Sequence, residues 1–130
     1  MNNAFPLGRS LFAAAVVIAT SAALNWAAPD YLSPEWALRL TGVLLGLVVV
    51  FYANVIPKSL TSLARLRCSP AAEQAARRFA GWSLVLGGLG YMLVMLAAPL
   101  AVMHLIGGVI LAVAVGAAML RCLRVGKTAA

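Results

Sequence analysis

FAGWSLVLGGLGYMLVMLAAPLAVMHLIGGVILAVAVGAAML, residues 79–120, decides the fold. It contains no Lys, Arg, Asp or Glu, and His104 is its one side chain able to carry charge near neutral pH. At about 1.5 Å per residue as helix it would reach roughly 60 Å, twice the ~30 Å of a bilayer's hydrocarbon core. Pro99 stands near its middle, so the stretch reads as two membrane crossings joined by a very tight turn. Two similar apolar stretches precede it, Leu11 to Ala28 and Trp36 to Ile56. The expectation is an all-α integral membrane bundle of four transmembrane helices, with spans near 8–28, 36–56, 79–98 and 100–120.

Composition agrees with that expectation. Hydrophobic residues make up 64% of the chain and charged residues 10%, against roughly a quarter charged in soluble domains. A chain this short that spans four times leaves no length for a second domain, so 1–130 reads as a single transmembrane domain. The net charge of +7 invites a nucleic-acid reading, but the cations sit at the ends of apolar stretches and form no stripe interleaved with aromatics. Nucleic acid is therefore not an expected partner. The cations read as determinants of topology, with a secondary role in holding anionic lipid headgroups.

The same charges orient the chain. Arg9 lies in the N-terminal flank, at the start of the first span. Lys58, Arg65, Arg67, Arg77 and Arg78 lie between the second and third, and Arg121, Arg124 and Lys127 follow the fourth. The first connection carries Asp30, Glu35 and Arg39, and the turn at Pro99 carries no charge. By the positive-inside rule, both termini and the basic middle loop are cytoplasmic, in a bacterial inner membrane. Trp26, Tyr31 and Trp36 then fall at the outer interface and Trp82 at the inner one, where amphipathic rings prefer to sit. A competing reading takes Arg9 and Leu11–Ala19 as a secretory leader cleaved near Thr20-Ser21-Ala22. The apolar run continues to Ala28, however, and cleavage would leave an odd number of crossings.

Local signals place the helix ends. Pro29 stops the first span, and Ser33-Pro34-Glu35 is a good start for the second: an N-cap, a proline at the first helical position and an acid for the dipole. Pro57 ends that span. Leu60, Leu63 and Leu66 recur every three residues beside Arg65 and Arg67, which suggests a short helix lying on the membrane surface. Ser69-Pro70 restarts a helix, with Glu73 and Arg77 at favourable i,i+4 spacing, which should run on through Arg78 into the third span.

Small residues mark expected packing faces: Gly42 and Gly46 in the second span, Gly87, Gly88 and Gly90 in the third, and Gly107, Gly108, Ala112 and Gly116 in the fourth. In lipid, helices associate by close backbone approach, so these positions suit contact with another helix of this chain or of a second subunit. Arg39 and His104 each precede a glycine by three residues, Gly42 and Gly107, which makes a faint internal repeat.

The residues able to carry chemistry are few. His104 lies about a turn below the outer surface and Arg39 near the outer end of the second span. An ionisable group inside a span is a functional candidate by default. Arg39 can snorkel, pair with Glu35 or approach His104. Asn54 belongs to a polar group, Tyr52, Asn54, Pro57 and Lys58, where the second span exits, and Asn25 is the other strongly polar residue within a span. No carboxylate falls inside a span, which argues against proton-coupled antiport of the small multidrug-resistance kind. No nucleophile–base set, zinc-binding HExxH or phosphate-cradling loop occurs. No catalytic residue, metal ligand or cofactor-binding residue is assigned, and no cofactor is expected. Cys68 and Cys122 lack metal-ligand spacing and read as apolar fillers near a reducing cytoplasm.

Residues 46–58, GLVVVFYANVIPK, resemble the segment of the SdpI-type bacterial membrane family in which a glycine-rich span ends in Asn-x-x-Pro-Lys. Residues 77–89, RRFAGWSLVLGGL, are similar to that family's next span, which opens with a basic residue and a glycine. Where the family carries a polar Arg-Thr-Pro-Trp-Thr stretch, this chain reads SLARLRCSPAAEQA. The resemblance implies a small immunity or signalling protein with Asn54, Pro57 and Lys58 as the shared positions. The leading expectation is thus a non-enzymatic protein acting through helix–helix contacts, as an accessory, assembly or immunity-type partner of a membrane component or as a homo-oligomer. The alternatives are a subunit of an oligomeric small-solute transporter or channel, with Arg39 and His104 lining an outer vestibule, and a membrane anchor of a redox or haem enzyme.

Overall fold

Prolines divide the chain into its elements. The computed structural model describes residues 6–55 and 69–127, and these form four helices: α1 (Pro6–Ala27), α2 (Pro34–Val55), α3 (Pro70–Ala97) and α4 (Leu100–Lys127). Ser33 Oγ accepts from the Trp36 N–H at the start of α2, and Ser69 Oγ accepts from the Ala72 N–H at the start of α3. Each satisfies one of the donors that a helix start leaves unpaired. Helix α3 runs unbroken from Pro70 through Arg78 into its apolar length. At its other end the Ala98 N–H still reaches the Val94 carbonyl, and Pro99 then opens α4, its carbonyl accepting from Val102 and Met103. The turn consists of little more than Ala98 and Pro99.

Helix α4 continues past Leu120, where the fourth span was expected to end, as far as Lys127. Arg121 and Arg124 suit a helix's last turns, since cations there complement the dipole. Three helical stretches, Pro34–Asn54, Pro70–Ala97 and Leu100–Val125, are long and apolar enough to cross a membrane, and Leu11–Ala27 is a shorter apolar helix.

Neighbours in sequence are neighbours in space, and they run antiparallel. Helix α3 is the centre, packed along its length against both α2 and α4. Helix α1 touches α2 lightly, leaving between them an open apolar groove of about 260 Å³ lined by Ala13, Val17, Leu45 and Tyr52 among others. The expected four-helix bundle is therefore a three-helix core with α1 laid against one side. The core helices approach one another at glycines, whereas α1 lines the groove with Ala13, Ala14, Val17 and Ile18 and presents no glycine there.

The core faces repeat at helical spacing. On α2 they are Arg39, Gly42, Gly46 and Ala53; on α4, Met103, Gly107, Ala114 and Ala118. Only Tyr91, Met95 and Met103 are large, and they cluster at the end of the core near the Pro99 turn. Leu45, Leu86, Leu93, Leu105 and Val113 stand exposed on the outside. Small inside and large outside is the reverse of a water-soluble protein, and it is what lipid as solvent selects.

Candidate functional site

The polar centre of the molecule is Arg39, which is 9% exposed. One turn back on α2, Glu35 Oε1 accepts from Arg39 Nε at 3.0 Å and Nη2 at 2.9 Å. On the other side Nη1 donates to the carbonyls of Met95 and Leu96, both at 2.9 Å. Those acceptors are the last carbonyls of α3, where a helix has no intrahelical donors left. The residue four beyond Met95 is Pro99, which has no N–H. The residue four beyond Leu96 is Leu100, which opens α4. Arg39 thus supplies from α2 the hydrogen bonds that the tight α3–α4 turn removes, and its positive charge meets the negative end of the α3 dipole.

Small residues let the helices come close enough for this. A Cβ on Gly42 would stand 2.7 Å from Met95 Cγ, beside the arginine. Further along, α2 and α3 cross at Gly46 and Gly88, where a Cβ on either would lie 3.2 Å from the other's carbonyl oxygen. Between α3 and α4, a Cβ on Gly87 would collide with Ala114 Cβ, and a Cβ on Gly107 would sit 2.8 Å from the Tyr91 ring. Ser83 Oγ, one turn from Gly87, donates to the Ala114 carbonyl at 2.9 Å.

Not every expected packing glycine has a neighbour. Gly108 and Gly116 have no side-chain or neighbouring-helix atom within 4 Å of where a Cβ would stand, so within the described residues they make no helix contact. Gly107 and Gly108 are adjacent, about 100° apart around α4, so one faces α3 and the other faces away.

The remaining candidates do not assemble. His104 is exposed on α4 and makes no hydrogen bond among the described residues. Arg39 turns to Glu35 and to the helix-end carbonyls of α3, which need donors, rather than to His104. The faint repeat breaks at the same point. Gly42 and Gly107 both pack on Met95, but the cation-capable residue before one is buried and before the other exposed. Tyr52 and Asn54, two residues apart on α2, face different sides: Tyr52 lines the α1–α2 groove, and Asn54 an open hollow of about 340 Å³ with Val50, Gly81, Trp82 and Val85. Pro57, Lys58, Cys68 and the leucine-spaced stretch before Cys68 lie outside the described residues.

Other polar groups in the helices bond locally. Thr20 Oγ1 donates to the Val16 carbonyl, Thr41 Oγ1 to Ala37 and Asn25 Nδ2 to Ser21, each a turn back. Glu73 Oε1 accepts from Arg77 Nη2 at 2.6 Å, the pairing expected from their spacing. Cys122 is a free thiol, and no group of three His, Cys, Asp or Glu able to hold a metal occurs among the described residues.

Sequence reasoning passed over Met95, Ser83 and the role of Pro99 beyond ending a helix. A signal for one was present, since a proline four residues after Met95 guarantees a carbonyl without its helical donor. Comparisons with protein families, curated proteins and solved structures find no match for this chain.

Proposed function

We propose that the chain is a non-enzymatic multi-pass membrane protein that works by helix–helix contact, as an accessory, assembly or immunity-type partner of another membrane component. The observation that carries this reading is the use made of Arg39. The one buried cation among the described residues directs its donors to Glu35 and to helix-end carbonyls, so it joins α2 to α3. Among the described residues the interior is otherwise glycine, alanine, methionine and one tyrosine, a surface suited to close packing and poor in reactive groups. Helix α4 adds a place for a partner, because it packs on α3 while Gly108 and its neighbours face outward.

In this reading α1 also crosses the bilayer, giving four spans with both termini and the basic loop in a bacterial cytoplasm. The exposed Trp26, Tyr31 and Trp36 then form an outer aromatic belt, with Trp82 at the inner surface. The immunity-type variant leans on the resemblance of residues 46–58 to the SdpI-type family.

The test is co-purification from native membranes in mild detergent, with crosslinking from single cysteines on the outer face of α4. Capture of a stoichiometric membrane partner or a second copy supports the proposal. A chain that always runs alone as a monomer, together with liposome flux that Arg39→Ala and His104→Ala abolish, would replace it with a solute-conducting role.

A further inference from the structure

Phe79 is sixteen residues before Met95 on α3, about 24 Å along the helix axis and so near the opposite membrane surface from Arg39. There α3 and α4 leave an open groove of about 500 Å³, lined by Phe79, Ala117, Leu120, Arg121 and Arg124. Its four α4 residues stand at i, i+3, i+4 and i+7 and so share one helix face. The Arg121 guanidinium carbon lies 6.0 Å from the centroid of the Phe79 ring, which lays its charge along the apolar wall. Among the described residues the groove is lined by no carboxylate, and the nearest acid along α3, Glu73, is bonded to Arg77. The track continues toward the bilayer centre past Leu120, 58% exposed, to Val113, 66% exposed.

We propose that this groove is a binding site for one anionic phospholipid. The phosphate oxygens accept hydrogen bonds from Arg121 and Arg124, and an acyl chain runs down α4 past Leu120 and Ala117 toward Val113. Two features favour a lipid over a soluble anion or a protein segment. The cations stand directly above an apolar track, so headgroup and chain are matched at once. The position is that of lipid phosphates, at the end of the uncharged run where basic residues attract anionic headgroups. A volume of this size also falls within the ~300–1,000 Å³ of small-ligand sites. The site depends on membrane insertion alone and is independent of which partner the protein serves.

The test is native mass spectrometry of the full chain in mild detergent, titrated separately with phosphatidylglycerol, phosphatidylcholine and inorganic phosphate. Phosphatidylglycerol should be retained about tenfold more tightly than phosphatidylcholine, and Arg121→Ala and Arg124→Gln should each weaken it about fivefold. Arg78→Ala removes the same charge from the same end outside the groove and should change retention by less than about twofold. Ala117→Phe keeps both charges and fills the track; it should lower phosphatidylglycerol retention and so keeps the proposal testable if an arginine variant fails to fold. Equal retention of the two lipids, or equal losses from Arg78→Ala and Arg121→Ala, would overturn the site in favour of diffuse charge attraction. Competition by millimolar inorganic phosphate would overturn it in favour of a bare anion site.

Discussion

The guanidinium of Arg39 donates to the carbonyl of Met95 at 2.9 Å, and Met95 is the residue whose helical donor Pro99 eliminates. A charged side chain on one helix therefore compensates for a missing backbone donor in the turn between two others. This ties α2 to the end of α3 beside the turn into α4, and it explains how a cation is accommodated in an apolar core.

Arg39→Ala should cost about 1–3 kcal/mol, since it leaves two helix-end carbonyls in the core without their donor, while the half-exposed Glu35 it also unpairs can turn to water. Arg39→Lys should recover part of that, because an ammonium can reach fewer acceptors at once than the planar guanidinium. Thermal unfolding in detergent micelles is the measurement. A loss under ~0.5 kcal/mol for Arg39→Ala would show that the carbonyls find other partners.

Gly87→Ala should destabilise by about 1–3 kcal/mol, because its Cβ would collide with Ala114 Cβ and force α3 from α4. Adding Ala114→Gly should restore most of the loss, as a direct contact requires. Gly108→Ala, by contrast, enters open space and should be neutral or stabilising by up to ~1 kcal/mol through helix propensity alone. Finding the two glycines equally sensitive in the monomer would contradict the packing described.

Ser83→Ala removes the hydroxyl bonded to the Ala114 carbonyl. Interhelical hydrogen bonds in membrane proteins average about 0.6 kcal/mol, so a loss of roughly that size is expected. A value above ~2 kcal/mol would mean that Ser83 supports more than this bond.

His104→Ala should leave the stability of the isolated chain within about 0.5 kcal/mol, since the imidazole is exposed and holds no hydrogen bond among the described residues. If micelle unfolding moves by more, a contact beyond the chain or a different packing of α4 is implied.

Hydrogen exchange should rank the helices. Amides of α1 should exchange well before those of α3, because α1 has only its light contact with α2 while α3 is packed on two sides. Uniform protection across the four helices would contradict a three-helix core.

The all-α class and most of the helix boundaries were legible in the residues alone, because the signals are local; the far end of α4 was not. A run without charge, a proline that cannot donate, a Ser-Pro start and an acid four before an arginine act within one or two turns. The Arg39–Glu35 and Arg77–Glu73 pairs belong to this kind. The choice of Met95 and Leu96 as acceptors for Arg39 does not. It depends on α2 crossing α3 where Gly42 lets Met95 in, so only the tertiary structure shows Arg39 capping the end of α3. The same holds for the glycines. Composition marks all of them as able to accept a neighbour, but whether Gly107 or Gly108 has one is settled by the rotation of α4 about its axis. That rotation is the summed outcome of every side chain along the α3 interface, which no short stretch of sequence contains.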